Sequence, residues 1–266
     1  MKSEILSHLP EDFPWREHIH CFDCVESTND LAKTMASQGA PHGTVLIADR
    51  QTGGRGRRGR SFFSPGGMGI YMSVILRPCC KPEGLMHLTC AAAVSLCDAV
   101  ENAVGFRPGI KWTNDLVFGN RKLAGILTEL SVNAKNGDLE YAVIGIGINC
   151  SQKIEDFSPE LQDFAGSLSM FSASAVNRSL VAAAVMKALQ KMDQELLCKK
   201  VETLSQYRKD CITLGKDISL LQGDTVRYGR AVDIDDQGAL IVSFSDGSTE
   251  AVNAGEVSVR GMYGYL

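Results

Sequence analysis

The sequence has no surplus of positive charge. Its 266 residues carry 27 Lys and Arg against 31 Asp and Glu, a formal net charge of −4, whereas a nucleic-acid-binding domain usually shows a basic excess spread over one face. Long apolar runs are missing as well. Stretches such as Val181 to Met186 fall far short of the ~20 residues a bilayer requires. The N-terminal stretch MKSEILSHLPEDFPW is acidic and holds no signal-peptide core. These absences point to a soluble, cytoplasmic chain without affinity for DNA or membranes. Internal repeats and low-complexity linkers are also lacking.

Paired cysteine motifs are nearly absent. Of nine cysteines, Cys21-x-x-Cys24 is the one pair with zinc-like spacing, and no second CxxC or CxxH follows at a useful distance. Cys90, Cys97, Cys150, Cys198 and Cys211 sit inside apolar patterns, where a free thiol behaves as a small hydrophobe. An odd count without a signal peptide favours reduced thiols over disulfides. A structural zinc site is not expected, and adjacent Cys79-Cys80 receives no special role.

Against that background one segment stands out. After the apolar run Thr44 to Ala48 comes Gln51-Thr52, and then Gly53-Gly54-Arg55-Gly56-Arg57-Arg58-Gly59-Arg60, four arginines and four glycines in eight residues. Glycine lets backbone approach a ligand closely, and guanidinium forks match carboxylate and phosphate geometry. A solvated basic patch or a phosphate-contacting nucleic-acid loop are the competing readings. The acidic balance of the whole chain weakens the latter, so a small anionic ligand is expected.

Local patterns supply the framework. Ser27 is expected to cap a helix that carries Leu31 and Met35 and stops at Gly39, with Asp30 three positions on as in a capping box. Ile70 to Leu76 reads as a strand, and Leu85 to Val104 as a core-facing helix. Leu116 to Phe118, Lys122 to Leu130 and Glu140 to Asn149, split by Gly119-Asn120 and Asn136-Gly137-Asp138, read as an antiparallel meander. Gly145-Ile146-Gly147-Ile148-Asn149 is therefore not a dinucleotide-binding turn, because its glycines lie within a strand, where they mark a bulge or a close approach. Ser174 to Lys199 reads as one long amphipathic helix. From Leu214 onward four short strands, Asp217 to Leu221, Thr225 to Asp233, Ala239 to Phe244 and Thr249 to Val252, form a small all-β module of roughly 50 residues that packs on the main domain.

In order along the chain stand Ser27-Thr28-Asn29, Gln51 with GGRGRRGR, Phe63-Ser64-Pro65, Lys111-Trp112-Thr113-Asn114-Asp115, Arg121 to Leu127 and Gly145 to Asn149. This series, together with Gly238-Ala239-Leu240 and Glu256 to Arg260 near the end, closely resembles biotin protein ligases. The resemblance implies an α/β (α+β) fold: a mixed, largely antiparallel sheet with flanking helices akin to class II aminoacyl-tRNA synthetases (1–213), then an SH3-like barrel (214–266). It implies an AMP-forming biotin–[acetyl-CoA-carboxylase] ligase that makes biotinyl-5'-AMP from biotin and MgATP and passes biotin to one lysine of a carboxyl carrier domain, without a tightly bound organic cofactor. A lipoate- or octanoate-type ligase and a biotin- or adenylate-binding regulator without turnover are the alternatives.

By the same resemblance Arg57, Lys122 and Asp115 are the catalytic candidates, with Asp115 also the candidate for Mg²⁺. Ser27, Thr28, Asn29, Gln51, Arg55, Gly56, Arg57, Lys122 and Gly125 are biotin contacts, with Leu123 and Ile126 along the ring and chain. Arg58, Lys111, Asn114, Asn149 and Arg260 face the nucleotide. Glycines 54, 56 and 59 let the loop fold over the adenylate. Many relatives have proline where this chain has Thr113, and only about 22 residues precede the first motif, so no helix-turn-helix repressor domain is expected. For a homodimer, the strand ending at Asn149 is the candidate to pair across a two-fold axis.

Overall fold

The computed structural model describes residues 1–223 and 225–253 and the backbone of 258–261. The larger unit is built from α1 (Lys2–Ser7), β1 (Ile19–Val25), α2 (Thr28–Ser37), β2 (Thr44–Gln51), β3 (Gly69–Leu76), α3 (Leu88–Val104), β4 (Gly109–Lys111), β5 (Asp115–Phe118), β6 (Arg121–Val132), β7 (Leu139–Asn149), α4 (Arg178–Glu195) and α5 (Lys200–Asp210). Its seven strands lie in the order β1-β2-β3-β7-β6-β5-β4. β1 runs parallel to β2, and the other neighbouring strands are antiparallel.

Alternation along the strands separates the two faces of the sheet. On one face Ile70, Met72, Val74 and Leu76 of β3 stand opposite Ile148, Ile146, Ile144 and Ala142 of β7, and all eight are buried with α3 and α4 in the main core. On the other face Ala32 and Ala36 of α2 cover Leu46, Ile75 and Val143. Beyond Val143 that face carries Gly145 and Gly147, and α2 ends its cover there. The open end of the second face is where the candidate site lies.

The antiparallel meander of β5, β6 and β7 matches the sequence-based expectation, whereas two helices differ from it. The helix expected from Ser174 starts at Arg178, because the Asn177 side chain accepts from Leu180 N at 3.0 Å and fixes the cap there. It ends at Glu195, and α5 follows as a separate helix that buries only Leu204 and Tyr207, too sparse an apolar stripe to signal a helix in the sequence. Residues Pro82–Leu85 form a 3-10 turn ahead of α3. The stretch from Pro82 to Val104 is long and apolar enough to cross a membrane by composition, but most of its apolar part is buried inside the protein, as a core helix would be.

At its Asn149 end β7 offers no edge for pairing across a two-fold axis. The strand is interior, with Asn149 paired to Gly69 on β3 and Ile148 paired to Ala124 on β6, so it has no free edge at that end.

The second unit is a five-stranded antiparallel sheet of β8 (Asp217–Gln222), β9 (Thr225–Ile234), β10 (Leu240–Ser243), β11 (Thr249–Val252) and β12 (Ser258–Gly261), ordered β11-β10-β9-β8-β12. Ile218, Leu220, Ala231, Ile234, Leu240 and Val242 are buried in the same cluster as the α3 and α4 core. At the joint, the Trp112 indole donates to the Gly238 carbonyl at 3.1 Å, the Trp112 amide donates to Thr213 Oγ1 at 2.9 Å, and Tyr207 donates to the Thr113 carbonyl at 3.0 Å. Trp112→Phe removes the indole donor together with part of the buried ring and leaves the Gly238 carbonyl unpaired, so the urea midpoint should fall by the equivalent of at least ~1–3 kcal/mol. An unchanged midpoint would show that this bond does not tie the units together.

Candidate active site

The arginine-glycine segment forms a flap over the open end of the sheet. Its neck is closed by hydrogen bonds from Gln51 N to Ser64 O (3.2 Å) and from Phe62 N to Gly54 O (2.8 Å), and Gly56 N donates to Arg60 O at 2.7 Å nearer the tip. Gly54 is required at the neck, because a Cβ there would lie 2.5 Å from both the Phe62 carbonyl and Ser64 Oγ. The tip turns through Arg58 and Gly59, both left-handed with φ of 57° and 72°. Arginine seldom takes that conformation.

Glycines also make the floor. A Cβ on Gly145 would stand 2.0 Å from Asn29 Oδ1, and one on Gly147 would stand 2.5 Å from the Phe62 ring. The strand glycines thus admit the first turn of α2 and the flap to the sheet surface, the close approach expected for glycine within a strand.

Between floor and flap lies a cleft lined by Ser27, Thr28, Asn29, Gln51, Arg55, Gly56, Arg57, Phe62, Asn114, Lys122, Gly125, Ile126, Leu127 and residues 145 to 147. At one end its side chains are neutral and mutually bonded. Gln51 Oε1 accepts from Thr28 N and Oγ1 (2.8 and 3.1 Å), Gln51 Nε2 donates to Ser64 Oγ (2.9 Å), and buried Ser73 lies 2.8 Å from Thr28 Oγ1 and 2.6 Å from Asn29 Oδ1. Ser27 caps α2 by accepting from Asp30 N. Asp30 does not return the bond as a capping box would, because its carboxylate is turned to Arg55 and Lys33.

At the other end the groups are cationic. Lys122 Nζ lies 2.7 Å from Asp115 Oδ1 and 5.9 Å above the centre of the Phe62 ring. Arg57 Nη1 donates to Asn114 Oδ1 at 3.0 Å. Asn114 is fixed in turn by Ile126: its Nδ2 donates to Ile126 O and its carbonyl accepts from Ile126 N, both at 2.9 Å. Burial lowers the Arg57 guanidinium from its ordinary value, against the opposing pull of Asp115. The peptide between Trp112 and Thr113 is cis.

All nine residues read from the sequence as biotin contacts line this cleft, and Asn114 joins them. Asp115 stands beside it through Lys122. Arg58 is exposed at the flap tip, and Lys111 is buried opposite Asp115 in the β4–β5 pairing. Asn149 is buried at the end of β7, where its Nδ2 donates to Gly166 O at 2.9 Å and its Oδ1 accepts from Gln152 at 3.2 Å. The backbone of Arg260 pairs with Ser219, and its side chain lies outside the described residues. Leu123 is buried in the core and does not line the cleft, unlike Ile126.

Phe62, Leu127, Ser73 and Glu129 were not foreseen, and neither was the 150–167 loop. That loop is bound to the site lysine's backbone, with Lys122 N donating to Phe164 O at 2.7 Å and Gly166 N to Lys122 O at 2.9 Å.

The mixed sheet with an arginine-glycine flap on its open face, joined to a small antiparallel module, resembles protein ligases that handle biotin and lipoate. Residues 21–149 match the Biotin/lipoate A/B protein ligase family, and residues 213–260 match the Biotin protein ligase C terminal domain. The bifunctional ligase/repressor BirA of Bacillus spizizenii is 34% identical over 239 residues, 90% of this chain and 73% of that protein. The biotin–[acetyl-CoA-carboxylase] ligase of Mycobacterium tuberculosis is 33% identical over 237 residues, 87% of this chain and 85% of that one. Biotin protein ligase from Aquifex aeolicus, solved in complex with biotin and ATP, superposes with a TM-score of 0.77 at 28% identity, covering 92% of this chain and 99% of its own. The chain belongs to the biotin protein ligase family.

The glycine floor yields a test. In Gly147→Ala the new methyl should push Phe62 and the flap outward, so trypsin should cut after Arg57, Arg58 or Arg60 several times faster while the unfolding midpoint stays close to that of the parent. Equal cleavage rates would mean that Phe62 does not seat the flap.

Proposed function

We infer that the chain is a biotin–protein ligase that joins biotin to ATP as biotinyl-5'-AMP, releases pyrophosphate, and transfers biotin to a lysine of a carboxyl carrier domain. One observation carries the reading. A single cleft holds an uncharged polar end, Ser27, Thr28, Asn29 and Gln51, and a cationic end, Arg57 and Lys122. Biotin has the matching shape, a neutral ureido ring at one end and a carboxylate at the other. Leaving a buried donor or acceptor of the ring pocket unpaired costs ~1–3 kcal/mol, which disfavours a plain lipoyl or fatty chain.

The first step needs two anions in contact, the biotin carboxylate and the α-phosphate of ATP. Lys122 and Arg57 neutralise the charge that develops between them. Asp115 and Asn114 hold these two cations in place before the ligands arrive, so little reorganisation remains for the reaction itself. The flap, with Arg55 and Gly56 at the pocket and Arg58 at its tip, excludes water from a mixed anhydride that would otherwise hydrolyse. Lys111, Asn114, Asn149 and Arg260 are assigned to the nucleotide side, and 214–266 acts as a support for the catalytic 1–213.

ATP would bring Mg²⁺ with it. Such a cation takes one or two protein carboxylates plus substrate phosphates. Asp115 is the carboxylate nearest the cationic end, and the metal would supply further neutralisation of the phosphates. The carrier domain of acetyl-CoA carboxylase or a related carboxylase is the proposed acceptor.

Mixing the chain with biotin and MgATP should release pyrophosphate, and adding a carrier domain should raise its mass by one biotinyl group at a lysine. Binding of both ligands without pyrophosphate would instead mark a regulator, and faster turnover with lipoate or octanoate would mark the other branch of the family. Lys122→Ala should slow the first step by roughly 10²–10³-fold, the cost typical of losing one preorganised stabiliser. Arg57→Gly should loosen retention of the adenylate, seen as labelling of bystander lysines by mass spectrometry. Retention equal to the parent would show that Arg57 does not hold the intermediate.

A further inference from the structure

Arg55, the first arginine of the flap, is engaged on the side of α2. Its guanidinium is ion-paired with Asp30 and lies 3.6 Å from Glu129 Oε1. Lys33 Nζ stands 2.9 Å from the same oxygens of Asp30 and Glu129. The other oxygen of Glu129 accepts from Asn29 Nδ2 at 2.9 Å. Flap, α2 and β6 therefore meet at two acids and two bases with no net charge. Burial raises the Asp30 carboxyl, but the bonds from Lys33 and Arg55 outweigh it and hold the group below its ordinary value. Burial lowers Lys33, and its bonds to Glu129 and Asp30 more than offset this.

We propose that Glu129 is a positioning residue that latches the flap: one carboxylate oxygen holds Arg55 down, and the other holds Asn29 in the neutral end of the cleft. The proposal rests on the ligase reading of that cleft. Glu129 itself does not line the cleft, so it acts through its two partners. Glu129 thereby couples the flap to the ring pocket, acting beside Asp30 on Arg55 and beside Leu127 O and Ser73 on Asn29. Lifting the flap requires separating Arg55 from two carboxylates, and the four side chains are 25 to 47% exposed. Salt reaches such a cluster, since the screening length falls from ~10 Å at 0.1 M to ~3 Å at 1 M.

The test follows release of labelled adenylate from the full-length chain, loaded with biotin and MgATP and then freed of excess ligand, at low and at high salt. The parent should release faster as salt rises. Glu129→Gln keeps an acceptor for Asn29 but loses the charge, so it should release roughly three- to tenfold faster at low salt, with little further acceleration by salt. Arg55→Gln, which also gives up Asp30, should release at least as fast, Arg55→Lys should recover part of the retention, and the double variant Glu129→Gln with Arg55→Gln should release no faster than Arg55→Gln alone. Arg55 is a surface side chain, so its variants keep the test open if Glu129→Gln does not fold. Release indifferent to salt in the parent, or single effects that multiply in the double variant, would overturn the latch while pyrophosphate release still upheld the ligase. A parent chain that releases no pyrophosphate would sink both.

Discussion

Lys122 and Asp115, 2.7 Å apart, set the electrostatic character of the cleft, because a positive group placed under a flap must be stabilised before any ligand arrives. Pairing it with the neighbouring strand's carboxylate compensates its charge and aims it into the cleft. The same logic governs the arginines, with Arg57 bound by Asn114 and Arg55 by the acids of α2 and β6. The three cations differ in what holds them, and so in what they are free to do. Arg57 donates to the Asn114 amide and is drawn by Asp115, whereas Arg55 is ion-paired with Asp30 on α2.

That arrangement depends on backbone geometry as much as on charge. β5 and β6 pair with a register shift between Leu116 and Val117, and Asp115 stands opposite Gly125, whose missing side chain leaves space for Lys122; a Cβ there would come within 3.2 Å of the lysine. Gly145 and Gly147 do the same for Asn29 and Phe62. Three glycines on adjoining strands thus form a smooth patch in an otherwise bulky sheet, and the polar pocket, the aromatic lid and the cation stand on it.

Part of this was legible in the sequence and part was not, for physical reasons. Ser27 announces a helix start through its own side chain, and the flap's composition announces its chemistry, since both properties are local. The meander was readable because its turns carry glycine and asparagine at the required positions. Phe62, Ser73 and Glu129 are ordinary residues whose importance comes from what the fold sets beside them, and no local pattern reveals it. α5 escaped notice because two buried side chains suffice to dock it. The α4 start was displaced by a cap at Asn177 within a polar stretch. β7 looked like an edge because the pattern of a strand says nothing about which neighbours it will have.

The bond from Trp112 to the Gly238 carbonyl has a consequence for how the protein comes apart. Because the β-sheet module contributes its buried side chains to the same hydrophobic interior as α3 and α4, neither unit has a complete interior of its own. The chain should melt as one cooperative body, and a fragment cut at the boundary would carry a bare apolar face inviting self-association. The turn that presents Asn114 and Asp115 to the cleft is braced from behind by that same joint, so damage far out in the small module would reach the chemistry through loss of rigidity, with every cleft side chain still in place.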